Sequence, residues 1–82
     1  MPRDTDTVGA VPTIGSRLRQ VRDLRRKPLS TVAKAAEIST AYLQKLEAGA
    51  VRQPSPNVLH HLSQALDIDY AELMRLAGYV VP

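Results

Sequence analysis

With 82 residues, the chain has room for one domain and a modest core. It contains no cysteine, which excludes disulfides and thiolate metal sites and fits a reducing cytosol. The net charge is +3, no run approaches the ~20 apolar residues that span a bilayer, and no apolar signal region opens the chain.

The charge is unevenly placed. Residues 1–13 carry Arg3 against Asp4 and Asp6, a net −1. Residues 14–53 carry nine Lys or Arg against Asp23, Glu37 and Glu47, a net +6. Residues 54–82 carry Arg75 against Asp67, Asp69 and Glu72, a net −2. A phosphate-binding face has this distribution, and so does a plain solvated surface. With three Tyr and neither Phe nor Trp, the core must be filled by Leu, Val, Ile and Ala.

Residues 1–12, with Pro2, Gly9 and Pro12 and no periodicity, read as a flexible N-terminal arm. Residues 13–82 read as the folded domain. Thr13 is placed to cap a first helix over about Ile14–Arg26. Ile14, Leu18 and Val21, with Leu24 or the Arg25 stem, face inward; Arg17 and Arg19 face outward, and Arg22 lies on the border. The basic run Arg25-Arg26-Lys27 links this helix to the next, either against a phosphate backbone or as a solvated turn. Pro28 favours helix initiation after it.

Leu29 to Gly49 contains two short apolar stripes, Val32/Ala36 and Leu43/Leu46, each at three- or four-residue spacing. Glu37-Ile38-Ser39 interrupts the period, and Ser39 suits the N-cap of the second helix, about Thr40–Ala48. Neither helix is long enough to stand alone, so both need a shared core. Two short helices around a tight turn form the pattern of a helix-turn-helix. Leu43 and Leu46 must point inward, which leaves Thr40, Ala41, Gln44 and Lys45 outward and Tyr42 to one side.

Gly49 closes that helix. Ser55 caps a fourth, about Pro56–Leu66, which buries Val58 or Leu59, Leu62, Ala65 and Leu66. His60 and His61 point in different directions without ligand-spaced partners, so no metal site is expected. Asp69 and Glu72 are spaced as a capping box for a fifth helix, about Tyr70–Ala77, with Leu73 and Leu76 or Ala77 closing the core. Gly78 ends it. The apolar Tyr79-Val80-Val81-Pro82 is expected to fold back on this helix or to join a dimer contact.

The chain resembles the Cro and phage-repressor (XRE-type) helix-turn-helix domains. The resemblance rests on Leu29–Gly49, on Arg17-Leu18-Arg19-Gln20-Val21-Arg22, on Pro54-Ser55-Pro56-Asn57, and on Asp67-Ile68-Asp69 to Leu73. It runs without a gap over about residues 13–79. It implies an all-α, compact five-helix, lambda-repressor-like fold with the helix-turn-helix at helices two and three. It also implies a sequence-specific DNA-binding transcriptional regulator, a repressor acting as a homodimer on a palindromic site in double-stranded DNA. Such a protein is cytoplasmic and nucleoid-associated, without membrane or cofactor, and a C-terminal effector or dimerisation domain can accompany it.

By position in the family, Thr40, Ala41 and Lys45 face base edges, while Ser39, Tyr42 and Gln44 lie near phosphates or flanking bases. Lys45 suits guanine O6/N7, Gln44 suits adenine, and Ala41 suits a thymine methyl. Ser39, Tyr42, Arg52 and Asn57 are implied phosphate contacts. Leu29 stands where many relatives carry a phosphate-binding Gln, so Ser30, Thr31 or backbone amides are expected to take that role. Arg22 and Glu47 are implied to pair, tying the first helix to the third. The family more often has Gly and a buried Leu at the positions of Arg26 and Lys27, and Gly at Glu37, where positive φ is common. A competing function keeps the fold as a protein-interaction module without reading DNA. An enzyme is disfavoured, because no catalytic set or phosphate-cradling Gly loop is present.

Overall fold

The structure, a computed structural model, describes residues 13–81. The expected flexible arm over residues 1–12 lies outside them. Five helices run in order: α1 Ile14–Leu24, α2 Leu29–Ala35, α3 Thr40–Glu47, α4 Pro56–Leu66 and α5 Tyr70–Leu76. The described residues contain no strand, so the fold is all-α as expected.

Helices of seven to eleven residues are marginal in water, so each of these depends on its ends and its buried stripe. Four of the five starts have a side-chain cap. Ser39 and Ser55 accept the Tyr42 and Val58 amides through their hydroxyls. Thr13 forms a reciprocal box with Ser16, each hydroxyl accepting the other's amide at 3.0 Å. Asp69 accepts the Glu72 amide at 3.1 Å. The return half of the expected Asp69–Glu72 box is absent. The Glu72 carboxylate instead accepts the Arg17 Nε–H at 2.6 Å, a charge-assisted bond that outcompetes a neutral backbone donor. Arg17 is therefore half-buried rather than outward, and the pair ties α1 to α5.

The helix ends share one device. Among the described residues, those of positive φ are Arg26, Glu37, Gly49, Asp67 and Gly78, and each stands just past a helix. In every case the following amide reaches back to a carbonyl five residues earlier: Lys27 to Arg22, Ile38 to Ala33, Ala50 to Lys45, Ile68 to Ser63 and Tyr79 to Met74. These closures satisfy carbonyls that a bare helix end would orphan. Arg26 ends α1 two residues earlier than its periodicity suggests, because a left-handed residue there stops the helix. Glu37 stands where the family more often has Gly and adopts the positive φ common there, at 61°.

The core joins Ile14, Leu18 and Val21 of α1 to Val32, Ala33 and Ala36, then to Leu43 and Leu46 of α3. Leu59, Leu62 and Leu66, with Ile68, Leu73 and Ala77, complete it. Of the pairs left open by periodicity, Leu59 is buried rather than Val58, and Ala77 rather than Leu76. Ala65 is only half-buried, and Ser63 takes the buried place with its hydroxyl donated to the His60 carbonyl at 2.6 Å. Neither candidate at the end of α1 enters the core. Leu24 is 73% exposed, and Arg25 turns to α4, donating to the Asp67 carbonyl at 3.3 Å.

Lys27 Nζ likewise donates to the Ala65 carbonyl at 3.3 Å. Two cations of the basic linker thus sit at the C-terminal end of α4, where helix carbonyls and macrodipole favour positive charge. Only Arg26 remains a wholly exposed cation in that run without such a contact.

Replacing Glu37 by Gly is expected to stabilise the fold by about 0–1.5 kcal/mol, the balance of roughly 1–2 kcal/mol of left-handed strain against about 0.5–1 kcal/mol of unfolded-chain entropy. Urea unfolding measures it, and a loss of stability would show that the Glu37 side chain makes a contact the turn needs.

Candidate nucleic-acid interface

The site is built around α3. Leu43 and Leu46 are fully buried, which fixes the helix's rotation about its own axis. Thr40, Ala41, Gln44 and Lys45 are consequently all exposed, while Tyr42 is half-buried against the core. The Ser39 hydroxyl accepts the Tyr42 amide at 3.0 Å, leaving its own proton free to donate outward.

Two features hold the far end of α3. An added Cβ at Gly15 would lie 2.1 Å from the Leu46 carbonyl oxygen and 3.0 Å from that of Glu47. The first turn of α1 therefore meets the last turn of α3 backbone to backbone, an approach that no other residue type permits. The second feature is the Arg22–Glu47 pair. Arg22 Nε donates to Glu47 Oε2 at 2.7 Å and Nη2 to Oε1 at 3.0 Å, a two-pronged geometry. The third guanidinium nitrogen, Nη1, donates to the Lys27 carbonyl at 3.0 Å. The side chains are only 13% and 8% exposed.

Hydrogen bonding to Glu47 raises the Arg22 pKa above its ordinary value, against the lowering effect of burial; the charges of Glu47 and Asp23 add to the rise. A raised cationic pKa stabilises the fold at every pH below the unfolded value and is lost only above the raised one. The arginine's share of the pair's stabilisation thus persists through neutral pH and fails only in strong alkali.

The remaining positions named from sequence lie around this helix. Gln44, Leu29, Ala48 and Glu47 line one cleft together with Arg19 and Arg22, so the start of α2 adjoins α3. Ser30 and Thr31 are exposed on the first turn of α2, which Pro28 precedes without a side-chain cap bond. Arg52 is exposed on the loop between α3 and α4, and Asn57 is exposed on the first turn of α4. Arg52 lines a different, more apolar groove, with Thr13, Ile14, Gly15, Gly49, Val51 and Leu76.

Arg19 has not been assigned a role by sequence, yet it shares the cleft with Gln44 and makes only a loose 3.9 Å contact with Asp23. Its signal was available: it lies three residues before Arg22, hence on the same side of α1. His60 packs edge-on against Tyr70 at 5.5 Å, and no metal-ligating group of three or more side chains occurs among the described residues. None of the described helices is long and apolar enough to cross a membrane.

Five short helices, the second and third joined by a tight turn and the third presenting a polar face, define a helix-turn-helix domain. A family of that description, "Helix-turn-helix domain", matches residues 13–76, and the chain belongs to it. The chain is also similar to the HTH-type transcriptional repressor RghR of Bacillus subtilis (strain 168), 32% identical over 68 residues. That match covers 83% of this chain and 50% of the relative. A second relative from the same strain is the uncharacterized HTH-type transcriptional regulator RghRB, 32% identical over 66 residues, or 80% and 48% of the two chains. The chain thus spans about half the length of the curated relatives it matches.

Removing Glu47 alone, as Glu47→Ala, is expected to cost about 2–4 kcal/mol in urea unfolding, because Arg22 loses its two-pronged partner and keeps only the looser Asp23 contact at 3.8 Å. The double variant Arg22→Met/Glu47→Leu should recover most of that loss. A double variant as unstable as the single one would contradict this account of the pair.

Proposed function

We propose that this chain is the DNA-reading domain of a transcriptional regulator that acts as a repressor. The observation that carries the proposal is the rigid presentation of Thr40, Ala41, Gln44 and Lys45 on α3. Their helix is fixed in rotation by Leu43 and Leu46 and at its end by Gly15 and Glu47. The dense positive charge of residues 14–53 supports it, as does the similarity to a transcriptional repressor and to a second HTH-type transcriptional regulator.

In this reading α3 enters the major groove. Lys45 donates to guanine O6/N7, Gln44 pairs with adenine, Ala41 meets a thymine methyl, and Thr40 serves a base or a phosphate. Ser30, Thr31, Ser39, Tyr42, Arg52 and Asn57 hold the backbone and set the register. Four base-facing side chains are a sparse set, so DNA shape supplies part of the selectivity. Two copies reading half-sites about one helical turn apart would occlude polymerase sterically. A cytoplasmic, nucleoid-associated homodimer and a further effector or dimerisation domain belong to the same proposal.

The test is enrichment from a random duplex pool at near-physiological salt. A palindromic consensus with half-sites one helical turn apart is expected. No consensus, with retention abolished by salt, would favour a protein-interaction module instead. Two variants then separate the roles. Lys45→Ala should relax preference at one position by roughly 1–3 kcal/mol. Arg52→Ala should weaken binding to all sequences and lower the salt slope by about one. Negligible effects from both would overturn these assignments.

A further inference from the structure

The loop between α3 and α4 carries Arg52 and leads to Asn57, and its middle is bonded to the segment that ends α5. Gln53 Nε2 donates to the Ala77 carbonyl at 3.1 Å, and the Tyr79 hydroxyl donates to the Pro54 carbonyl at 2.9 Å. The two bonds run in opposite directions between the same two segments. Each meets a group that would otherwise be wanting: Ala77 offers a carbonyl at the end of α5, and Pro54 one in a loop without regular structure.

Local geometry makes the contact possible. Gly78, at φ 91°, reverses the chain after α5 and brings Tyr79 back over the loop. A Cβ at Gly78 would sit 3.4 Å from Gln53 Nε2, so the side chain lies directly against this turn. The Pro54 side chain is fully buried, which anchors the loop from its inner side. Gln53 and Pro54 follow Arg52 immediately, so whatever fixes them fixes the base of the Arg52 side chain.

We infer that Gln53 and Tyr79 are positioning residues for DNA backbone contact, forming a strap that sets the place of Arg52 relative to α3. The inference rests on the reading of this chain as a DNA-binding domain. Neither residue touches DNA; both act through the loop. The strap also makes the loop's position depend on the C-terminal turn of α5. Release of Tyr79 therefore loosens the grip on DNA while leaving the base-facing helix in place.

A double-mutant cycle on the full 82-residue chain tests this. Tyr79→Phe removes one hydroxyl and keeps the ring, and Gln53→Ala truncates an exposed side chain, so both are expected to fold. The probe is the duplex enriched from the random pool, with a scrambled duplex beside it. Tyr79→Phe should weaken binding to both duplexes by roughly three- to tenfold, with the preference between them unchanged. On an Arg52→Ala background the same substitution should cost less than about twofold, because its target is gone. Gln53→Ala should behave in the same way. An unchanged affinity, or an equal loss on both backgrounds, would overturn the inference.

Backbone order parameters of the free protein, from nitrogen-15 relaxation, separate this from failure of the DNA reading. Those of residues 51–53 should fall in Tyr79→Phe, while those of α3 stay unchanged. If the wild-type chain binds no duplex, the DNA reading fails and the order parameters alone decide the strap. A fall confined to the loop supports it, and an unchanged loop overturns it.

Discussion

The position of α3 depends on how its last turn is held. Arg22 meets Glu47 in a two-pronged pair that is nearly closed to solvent, and the third nitrogen of the same guanidinium ties down the Lys27 carbonyl. One side chain thereby joins α1, the linker to α2 and the end of α3. A few ångströms' worth of added side chain at Gly15 would prise this junction apart, because the Leu46 carbonyl already occupies the space. Such a pair is a weak source of net stability, since desolvation offsets most of its attraction. Its effect is orientational. Combined with the burial of Leu43 and Leu46, it leaves one face of α3 turned outward.

Short helices impose the second constraint. None of the five exceeds eleven residues, so none is stable alone. The chain compensates at both ends of its helices, with side-chain caps at four starts and a left-handed residue beyond all five ends. Only two of those five residues are glycine. Arg26, Glu37 and Asp67 adopt the same conformation with a side chain, at some cost in strain. The regularity of the back-reaching amides explains why that cost is tolerated: each closure satisfies carbonyls that would otherwise face the loop unpaired.

Much of this was legible in the sequence, and the reasons differ by residue. Periodicity located the apolar stripes, and hydroxyl residues ahead of them located Thr13, Ser39 and Ser55 as caps. The Arg22–Glu47 pair followed from family resemblance, because 25 residues separate its members and no local pattern links them. The same resemblance marked Glu37 as a position where positive φ is common but left open whether a Glu would adopt it, and it does. Glu72 was misread because two partners compete for one carboxylate, and the winner, Arg17, lies 55 residues away. Leu24 was drawn inward by spacing from Val21, yet the helix ends there and the core does not reach it. Gly15 and the Gln53–Tyr79 strap left no sequence signal, since close backbone approach and loop carbonyl acceptors depend on tertiary position. The roles of individual side chains toward DNA depend on a partner absent from the sequence altogether.

We propose that the surface organised by α3 is the one that meets DNA. The most direct measurement is titration of isotope-labelled protein with duplex, followed by amide shift mapping. At low salt even non-specific duplex suffices, because phosphate contacts supply that binding. The largest shifts are expected along Thr40–Lys45, at the first turn of α2, and around Arg52 and Asn57, with α5 silent. A footprint centred on α5, with α3 unmoved, would overturn the proposal.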